Sequence, residues 1–271
     1  LSSHSLPVVN YLEFDASSIH LAREFFHSME GPCVVKPAFG TGAGQGVTTH
    51  ICSENELAWA CARALKHDRR LLIERQIAGE NYRLLFCRGD LLDVVRRDPP
   101  HLIGDGRSTV RKLIQNENRR RVESWENAQS LLQIDQDAVQ TLRHQGYRLK
   151  SVPGDGERFQ VKTVINDNAA HENVSVTDEM GISVIDSCRQ AASLLGVQLA
   201  GVDIITPDPT VSLVESKGVI LEVNTTPGLY IHKRGKTCPV ALSILKAMLD
   251  QHIRKPEGPV ISRERKRSEE H

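Results

Sequence analysis

Four glycines alternate with other residues in Gly40-Thr41-Gly42-Ala43-Gly44-Gln45-Gly46, shortly after the apolar run Cys33-Val34-Val35-Lys36-Pro37. Glycine tolerates positive φ and leaves backbone N–H groups uncovered, so such a loop suits a backbone that must approach a ligand closely, a phosphate above all. Spacing separates the possible phosphate loops. A P-loop requires Lys and then Ser or Thr after its last glycine, and Val47-Thr48 stands here instead. A dinucleotide fingerprint requires G-x-G-x-x-G opening a helix. Counting from Gly40 the sixth position is Gln45, from Gly42 it is Val47, and the next residues read as a strand. What remains is strand, flap, strand, with Lys36 ahead of the flap as a fixed positive charge for a phosphate. Protein kinases also use a glycine flap, but the chain has no H-R-D or D-F-G element.

Around the flap the pattern predicts a compact unit. Residues 1–12 read as an extended lead-in. Residues 16–29 read as a helix with Ser17 or Ser18 as cap, and Gly31-Pro32 breaks it. Val47 to Ile51 is a strand, and Ser53 caps a helix through Ala64 with Glu56 at the capping-box position. Leu71 to Glu74 is a further strand. Tyr82–Phe86 and Leu91–Arg96 form a hairpin through Arg88-Gly89-Asp90. Residues 108–145 are polar and helix-rich, anchored by Ile114, Leu131 and Leu132, with Asn118–Arg121 on a solvated face. Residues 180–195 form an amphipathic helix through Ile182, Ile185, Ala192 and Leu195, and residues 239–252 another through Ala241, Ile244, Leu245 and Met248. Six cysteines, with no C-x-x-C pair, read as reduced thiols of a cytoplasmic protein rather than a zinc site.

A second constellation lies near the far end. Asp203 interrupts the apolar run Ala200-Gly201-Val202-Asp203-Ile204-Ile205, where a carboxylate is costly unless paired or metal-bound. Glu222 and Asn224 stand two apart in Leu221-Glu222-Val223-Asn224, hence on one face of a strand. If the two strands pair, that face presents two carboxylates and a carboxamide oxygen, hard ligands suited to Mg²⁺. Equal numbers of basic and acidic residues, 34 each, and 4% aromatics argue against a nucleic-acid partner. No run of 18 apolar residues occurs, so no membrane partner is expected.

Taken in order, Val34-Val35-Lys36-Pro37 with the flap, Leu72-Ile73-Glu74-Arg75-Gln76-Ile77-Ala78-Gly79, Gly201-Val202-Asp203-Ile204 and Leu221-Glu222-Val223-Asn224-Thr225-Thr226-Pro227-Gly228 resemble the successive blocks of the ATP-grasp superfamily of carboxylate–amine ligases. The likeness is greatest to the ATP-grasp part of cyanophycin synthetases, through Arg96–Val110, Gln145-Gly146-Tyr147, Ser151-Val152-Pro153 and Pro227-Gly228…His232. It implies an α+β ATP-grasp fold, two lobes with mainly antiparallel sheets clamping ATP. Residues 1–78 would form the smaller lobe with the lid, 79–258 the larger lobe with the metal site, and 259–271 a charged tail. The chain starts where the ATP-binding half of that family starts, which implies a fragment or a reduced enzyme.

The resemblance also implies roles. Lys36 would contact ATP phosphates under a lid containing Gly40, Gly42, Gly44 and Gly46. Glu74 and the backbone at Ile77 would hold adenine and ribose, with Asn81 where the family commonly has an acid. Asp203, Glu222 and Asn224 would bind Mg²⁺. Arg83 and Arg97 would face phosphate or the carboxylate substrate, and Lys162 would steady the acyl phosphate. The implied activity is ATP- and Mg²⁺-dependent amide ligation of a small carboxylate and an amine, amino acids or short peptides, by a possible homo-oligomer. The alternatives are an ATP-binding regulatory module without ligation, or a ligase of the glutathione or N-acetylated dipeptide type. His101 and His171 read as ordinary surface or core residues, while His232 stands close enough to the Pro227-Gly228 block to touch substrate.

Overall fold

The computed structural model describes residues 1, 4–39, 45–123, 131–165, 168–233 and 237–253 of the 271-residue chain. Gly40, Gly42, Gly44 and the charged run 259–271 lie outside the described residues.

Four strands, β1 (Tyr11–Asp15), β2 (Cys33–Pro37), β3 (Thr48–Ile51) and β4 (Arg70–Arg75), make an antiparallel sheet in the order β1-β4-β2-β3. Helices α1 (Ile19–Ser28) and α2 (Glu54–Ala64) cover one face, burying Ala22, Leu57, Ala60 and Cys61 against Cys33, Val35, Leu71 and Ile73. Burial alternates along β2, so Val34 and Lys36 look to the opposite face. This alternation aims Lys36 away from the helices.

Three local expectations need correction. The segment read as a lead-in ends in a strand, β1, whose partner β4 lies some sixty residues on. At the first helix Ser18 does hold the N-cap position of α1, but without a capping bond from its side chain, and the carboxylate cap one turn earlier is that of Asp15. Its carboxylate accepts from the N–H groups of Ser17 and Ser18 at 2.9 and 3.0 Å and starts a short 3₁₀ turn before α1. At α2, Ser53 does cap, but Glu56 accepts from the N–H of Cys52 rather than from that of Ser53.

The second sheet, again antiparallel throughout, contains β5 (Glu80–Cys87), β6 (Asp90–Arg97), β9 (Asn173–Ser175), β10 (Leu199–Thr206) and β11 (Val219–Asn224), in the order β11-β10-β5-β6-β9. The β5–β6 hairpin turns on Arg88 and Gly89, both at positive φ, as a two-residue turn matched to strand twist requires. Between β6 and β9 lies an insert: β7 (His101–Ile103) pairs with β8 (Arg158–Gln160), and α3 (Val110–Glu123) and α4 (Gln136–His144) pack on them around Ile114, Leu142 and Phe159.

Helix α5 (Ile182–Leu194) covers one face of the second sheet. After the short α6 (Leu213–Ser216), α7 (Pro239–Ile253) covers one end of the other face, through Val240 and Ile244 on Leu85 and Cys87. On both helices the expected face holds in part: Ile185 and Ala192 on α5 and Ile244 on α7 meet the core, while the other large apolar anchors do not. On α5 the buried residues are Val184, Cys188, Ala191 and Ala192, while Ile182 is 77% exposed. On α7, Leu245 and Met248 are exposed. All six cysteines are free thiols, and burial pushes the Cys61 thiol up to about 11, so it packs as an inert hydrophobe.

Arg121, expected on a solvated face, is 1% exposed. Its Nε donates to Glu117 at 2.8 Å, and its guanidinium lies 3.7 Å from the buried Glu172. Removing one member of such a group strands the others without water. Arg121→Ala is therefore expected to cost about 3–5 kcal/mol. At about 2–4 °C per kcal/mol, calorimetry should show a Tm about 10 °C lower.

Candidate active site

The uncovered part of the second sheet faces the uncovered face of the first across a cleft of about 1820 Å³. That exceeds the usual 300–1,000 Å³ of a site for one small molecule and leaves room for several.

On the first sheet's wall, Lys36 and Glu74 stand on neighbouring strands and form an ion pair at 2.6 Å. Both line the cleft, with Glu74 nearly buried and Lys36 about one-third exposed. Gly46 closes the end of the flap at φ +76°, where an added Cβ would come 2.8 Å from Pro37 and His67. The wall continues through Gln76–Gly79, including Ile77, into Asn81. Gln76 ties the linker down: its N–H donates to Pro32 O at 2.9 Å, and its Oε1 accepts from the N–H of His50 at 2.7 Å. Gly79 has φ +130°, and any Cβ there would lie 2.3 Å from the Thr206 carbonyl carbon, so only glycine lets the linker pass β10.

The floor comes from β5, β6, β10 and β11. Asp203 lies between Arg83 on β5 and Glu222 on β11, directly opposite each in register. The Arg83 guanidinium grips both oxygens of Asp203, with Nε at 2.5 Å from Oδ1. Burial works against the charge on Arg83, but the hydrogen bonds and charge of Asp203 outweigh it and raise its pKa. Burial pushes the Asp203 carboxyl up, against the pull of Arg83. Burial also opposes ionisation of Glu222, yet its hydrogen bonds with Asp203 and Asn224, with the charges of Arg83 and Lys36, hold it below the usual range. The Asn224 amide donates to both acids, at 3.2 and 3.0 Å.

Two carboxylates within hydrogen-bonding reach, with a carboxamide between them, form a site short of one positive charge. The amide nitrogen now partly supplies it, and turning the amide over would present oxygen instead. This donor set fits Mg²⁺, which binds through one or two carboxylates and completes its shell from water and substrate phosphates. Among the described residues no group of three or more His, Cys, Asp and Glu side chains forms an alternative metal site.

Arg97 lines the cleft from β6, opposite Asn81. It is 4% exposed, and its Nε has no hydrogen-bond partner among the described residues. Burial, then the nearby Arg83, lower its pKa, against the attraction of Asp203. A buried cation left unpaired in a cleft is placed for an anion.

Lys162 is not brought to this wall. Its ammonium is buried and donates to Asp135 Oδ2 at 2.8 Å, at the start of α4. The neighbouring Asp137 accepts from the N–H groups of Thr163 and Val164 at 3.0 Å each, which holds that segment to α4. The insert instead presents Arg158, Gln160, Gln145 and His101 to the cleft. The alternation Arg158-Phe159-Gln160, with Phe159 in the insert core, was the sequence signal for Arg158 and Gln160. No sequence pattern singles out His101, which the sequence places among ordinary surface or core residues. His232 is fully buried and does not line the cleft.

The family model for the carboxy-terminal part of D-Ala–D-Ala ligases matches residues 1–88. Cyanophycin synthetase from Crocosphaera subtropica is 33% identical over 251 residues, 87% of this chain and 28% of that protein. The chain thus spans about a quarter of the length of the curated relatives it matches. Among solved structures, a bifunctional glutathione synthetase from Pasteurella multocida superposes with TM-score 0.55 at 19% identity, over 92% of this chain and 34% of that one. A D-alanine–D-alanine ligase from Bacillus anthracis does so with TM-score 0.52 at 15% identity, over 95% and 66%.

Proposed function

The chain belongs to the ATP-grasp superfamily, and from that premise we propose that its cleft is the active site of an ATP- and Mg²⁺-dependent carboxylate–amine ligase. In the proposed reaction a substrate carboxylate oxygen attacks the γ-phosphorus of ATP and ADP leaves. An amine nitrogen then attacks the acyl carbon, phosphate leaves, and the amine loses a proton. The observation that carries this reading is the placing of Lys36–Glu74 on one wall opposite Asp203, Glu222, Asn224 and Arg97, whose Nε has no partner among the described residues, on the other.

When bound, Mg²⁺ would neutralise phosphate charge, held by Asp203, Glu222 and the Asn224 oxygen. Lys36 exchanges its bond to Glu74 for a phosphate oxygen, which frees the Glu74 carboxylate to accept from a ribose hydroxyl. Arg97 takes the charge that builds on the transferred phosphoryl group or its acceptor, at the gain such preorganised donors bring in a dry site. Exclusion of water from the cleft would preserve an acyl phosphate for the amine. The carboxylate and amine are small molecules, amino acids or short peptides. Lys162 contributes through Asp135 and the hold of α4 on the insert rather than by touching the reacting atoms.

The sequestered Lys162 favours a second reading, a module that binds ATP without ligating. The two separate cleanly. ADP release should require Mg²⁺ together with a carboxylate and an amine from an amino-acid and dipeptide mixture, and Lys36→Ala should lower it by about 100-fold or more. Mg–ATP binding by calorimetry, with no ADP formed under any mixture, would instead establish the module.

A further inference from the structure

His50 lines the cleft, yet the proposed chemistry makes no use of it. It stands on β3 where the pairing with β2 slips between Cys33 and Val35, and its φ is +54°. A non-glycine residue in the left-handed region is uncommon, and a bulge of this kind re-aims a side chain. Here the half-buried imidazole meets two other parts of the molecule: the linker between the sheets, through Gln76, and the insert, through His144.

The bonds to Gln76 fix where the ring carries its proton. The backbone N–H of His50 can only donate, so it holds the Gln76 side-chain oxygen, at 2.7 Å. That turns the amide nitrogen, a donor, toward the ring, 3.0 Å from Nε2 and 3.5 Å from Nδ1. Nε2 therefore has to accept, and the ring proton belongs on Nδ1, 3.1 Å from Thr49 Oγ1. A second proton, on Nε2, would set donor against donor. Turning the amide over gives no relief, because its NH₂ group would then meet the N–H of His50. Against the same ring His144 packs edge to face, with centroids 5.5 Å apart and planes at 64°.

The charges around the pair do not favour a proton there. Val34 of β2 stands opposite the bulge, and Lys36, Glu74 and Arg75 line the cleft beyond it, the first two bonded to each other. Arg143 stands beside His144 on the last turn of α4. Among the described residues the histidines that pair with carboxylates are His27 and His232, not these two. Burial, then the facing His144, lower the pKa of His50 from its ordinary value. His144 is also joined to the insert wall. Its neighbour Gln145 donates to Gln160 O at 2.8 Å and accepts from the Gln160 N–H at 2.9 Å.

We propose that His50 is a positioning residue that joins the linker to the insert across the cleft, and that it holds them only as a neutral imidazole. As the pH falls below about 6.5, the ordinary range of an imidazole, the ring takes up a proton and the bond from Gln76 breaks. His144, facing a cation, is pushed off at the same time. The linker residues Gln76–Gly79 and the insert wall then loosen together, and nucleotide binding weakens in acid. That last consequence rests on the reading of the cleft as an ATP site.

The test uses the full chain as wild type, His50→Gln and His144→Gln, between pH 5.5 and 8. Calorimetry reads Mg–ADP binding, amide hydrogen-exchange protection reads residues 76–79 and 141–147, and nitrogen-15 NMR reads the tautomer of the ring. Glutamine at 50 keeps an acceptor for the Gln76 amide and does not titrate. At pH 7.5 the wild-type ring should carry its proton on Nδ1. Between pH 7.5 and 5.5 the Mg–ADP Kd of wild type should rise about tenfold more than that of His50→Gln, the loss of one hydrogen-bonded tie. Protonation of the nucleotide is common to both proteins and cancels in that ratio. Protection at both segments should fall in acid in wild type and hold in His50→Gln. His144→Gln removes the facing charge, so loss of protection at 76–79 should begin at a higher pH. A ring protonated on Nε2 at pH 7.5 would overturn the proposal. So would a Kd ratio that does not change with pH, or protection at 141–147 that survives acid in wild type. Should His50→Gln not fold, His50→Asn, which suits a positive φ, is read in the same way. A wild-type chain that binds no Mg–ADP sinks the ATP-site reading alone, since the tautomer and exchange measurements still decide this one.

Discussion

Glu222→Ala is expected to remove Mg²⁺-dependent ADP release, by about a thousandfold or more, in a protein whose melting temperature barely moves. The two halves of that expectation have separate causes. The side chain of Glu222 is 60% exposed, and its partners are the neighbouring Asp203 carboxyl, the Asn224 amide at 3.0 Å and Arg83 at 3.9 Å. An exposed carboxylate with such partners contributes at most about 1 kcal/mol to stability. In the proposed site, however, it is one of two charged ligands, and a dication held by the other alone has lost half the anionic charge that keeps it against the phosphates. Asp203→Ala should look different, although it removes the other ligand. It strands the buried Arg83 guanidinium, which costs about 3–5 kcal/mol, so that variant loses activity and stability together. The pair of variants checks the assignment by ADP release, by Mn²⁺ binding and by calorimetry. Turnover within tenfold of wild type in folded Glu222→Ala would sink the metal site.

What the sequence made legible was the part that depends on local alternation. Burial at every second residue put Lys36 on one face of β2, and the two-residue spacing put Glu222 and Asn224 on one face of β11. The long-looped pairing of residues near 203 and 222 also followed from two apolar runs with turn residues between them. Lys162 was different. Its position along the chain matched the expected block, but its partner Asp135 lies 27 residues earlier, across α4. No local pattern reports such a pairing. Arg121 misled for the same reason, because its buried partner Glu172 comes from a segment fifty residues away. On α7 the expected face was right at Ile244 and wrong at Leu245 and Met248, through excess of signal rather than lack of it. Leu242, Leu245, Met248 and Leu249 are exposed on α7 while Val240 and Ile244 are buried, so apolar residues surround the helix and periodicity alone selects no face.

Arg97 separates stability from function most sharply. Zero net charge over the whole chain means that the cation for an anionic substrate has to be concentrated locally, and Arg97 is where the fold bears the strain of doing so. Arg83 is nearby but committed to Asp203. Lys36 is committed to Glu74 at 2.6 Å until something displaces it. Arg97 alone of these three has a buried nitrogen without a hydrogen-bond partner among the described residues, and burial and Arg83 both work against its charge. Arg97→Met keeps the length and apolar stem of the side chain and removes the uncompensated cation. Exchanging buried charge for a well-packed apolar group commonly stabilises a fold, here by about 1–2 kcal/mol. At about 2–4 °C per kcal/mol the variant should melt several degrees above wild type. Losing one preorganised cation at the site of charge build-up should lower kcat by about 10²–10³-fold. Mg–ATP affinity should fall far less, since Lys36 and the metal ligands are untouched. A higher Tm with lost turnover is the expected signature of a residue retained for chemistry at the expense of the fold. A lower Tm with turnover preserved would make Arg97 a structural residue and move the anion site to Arg158.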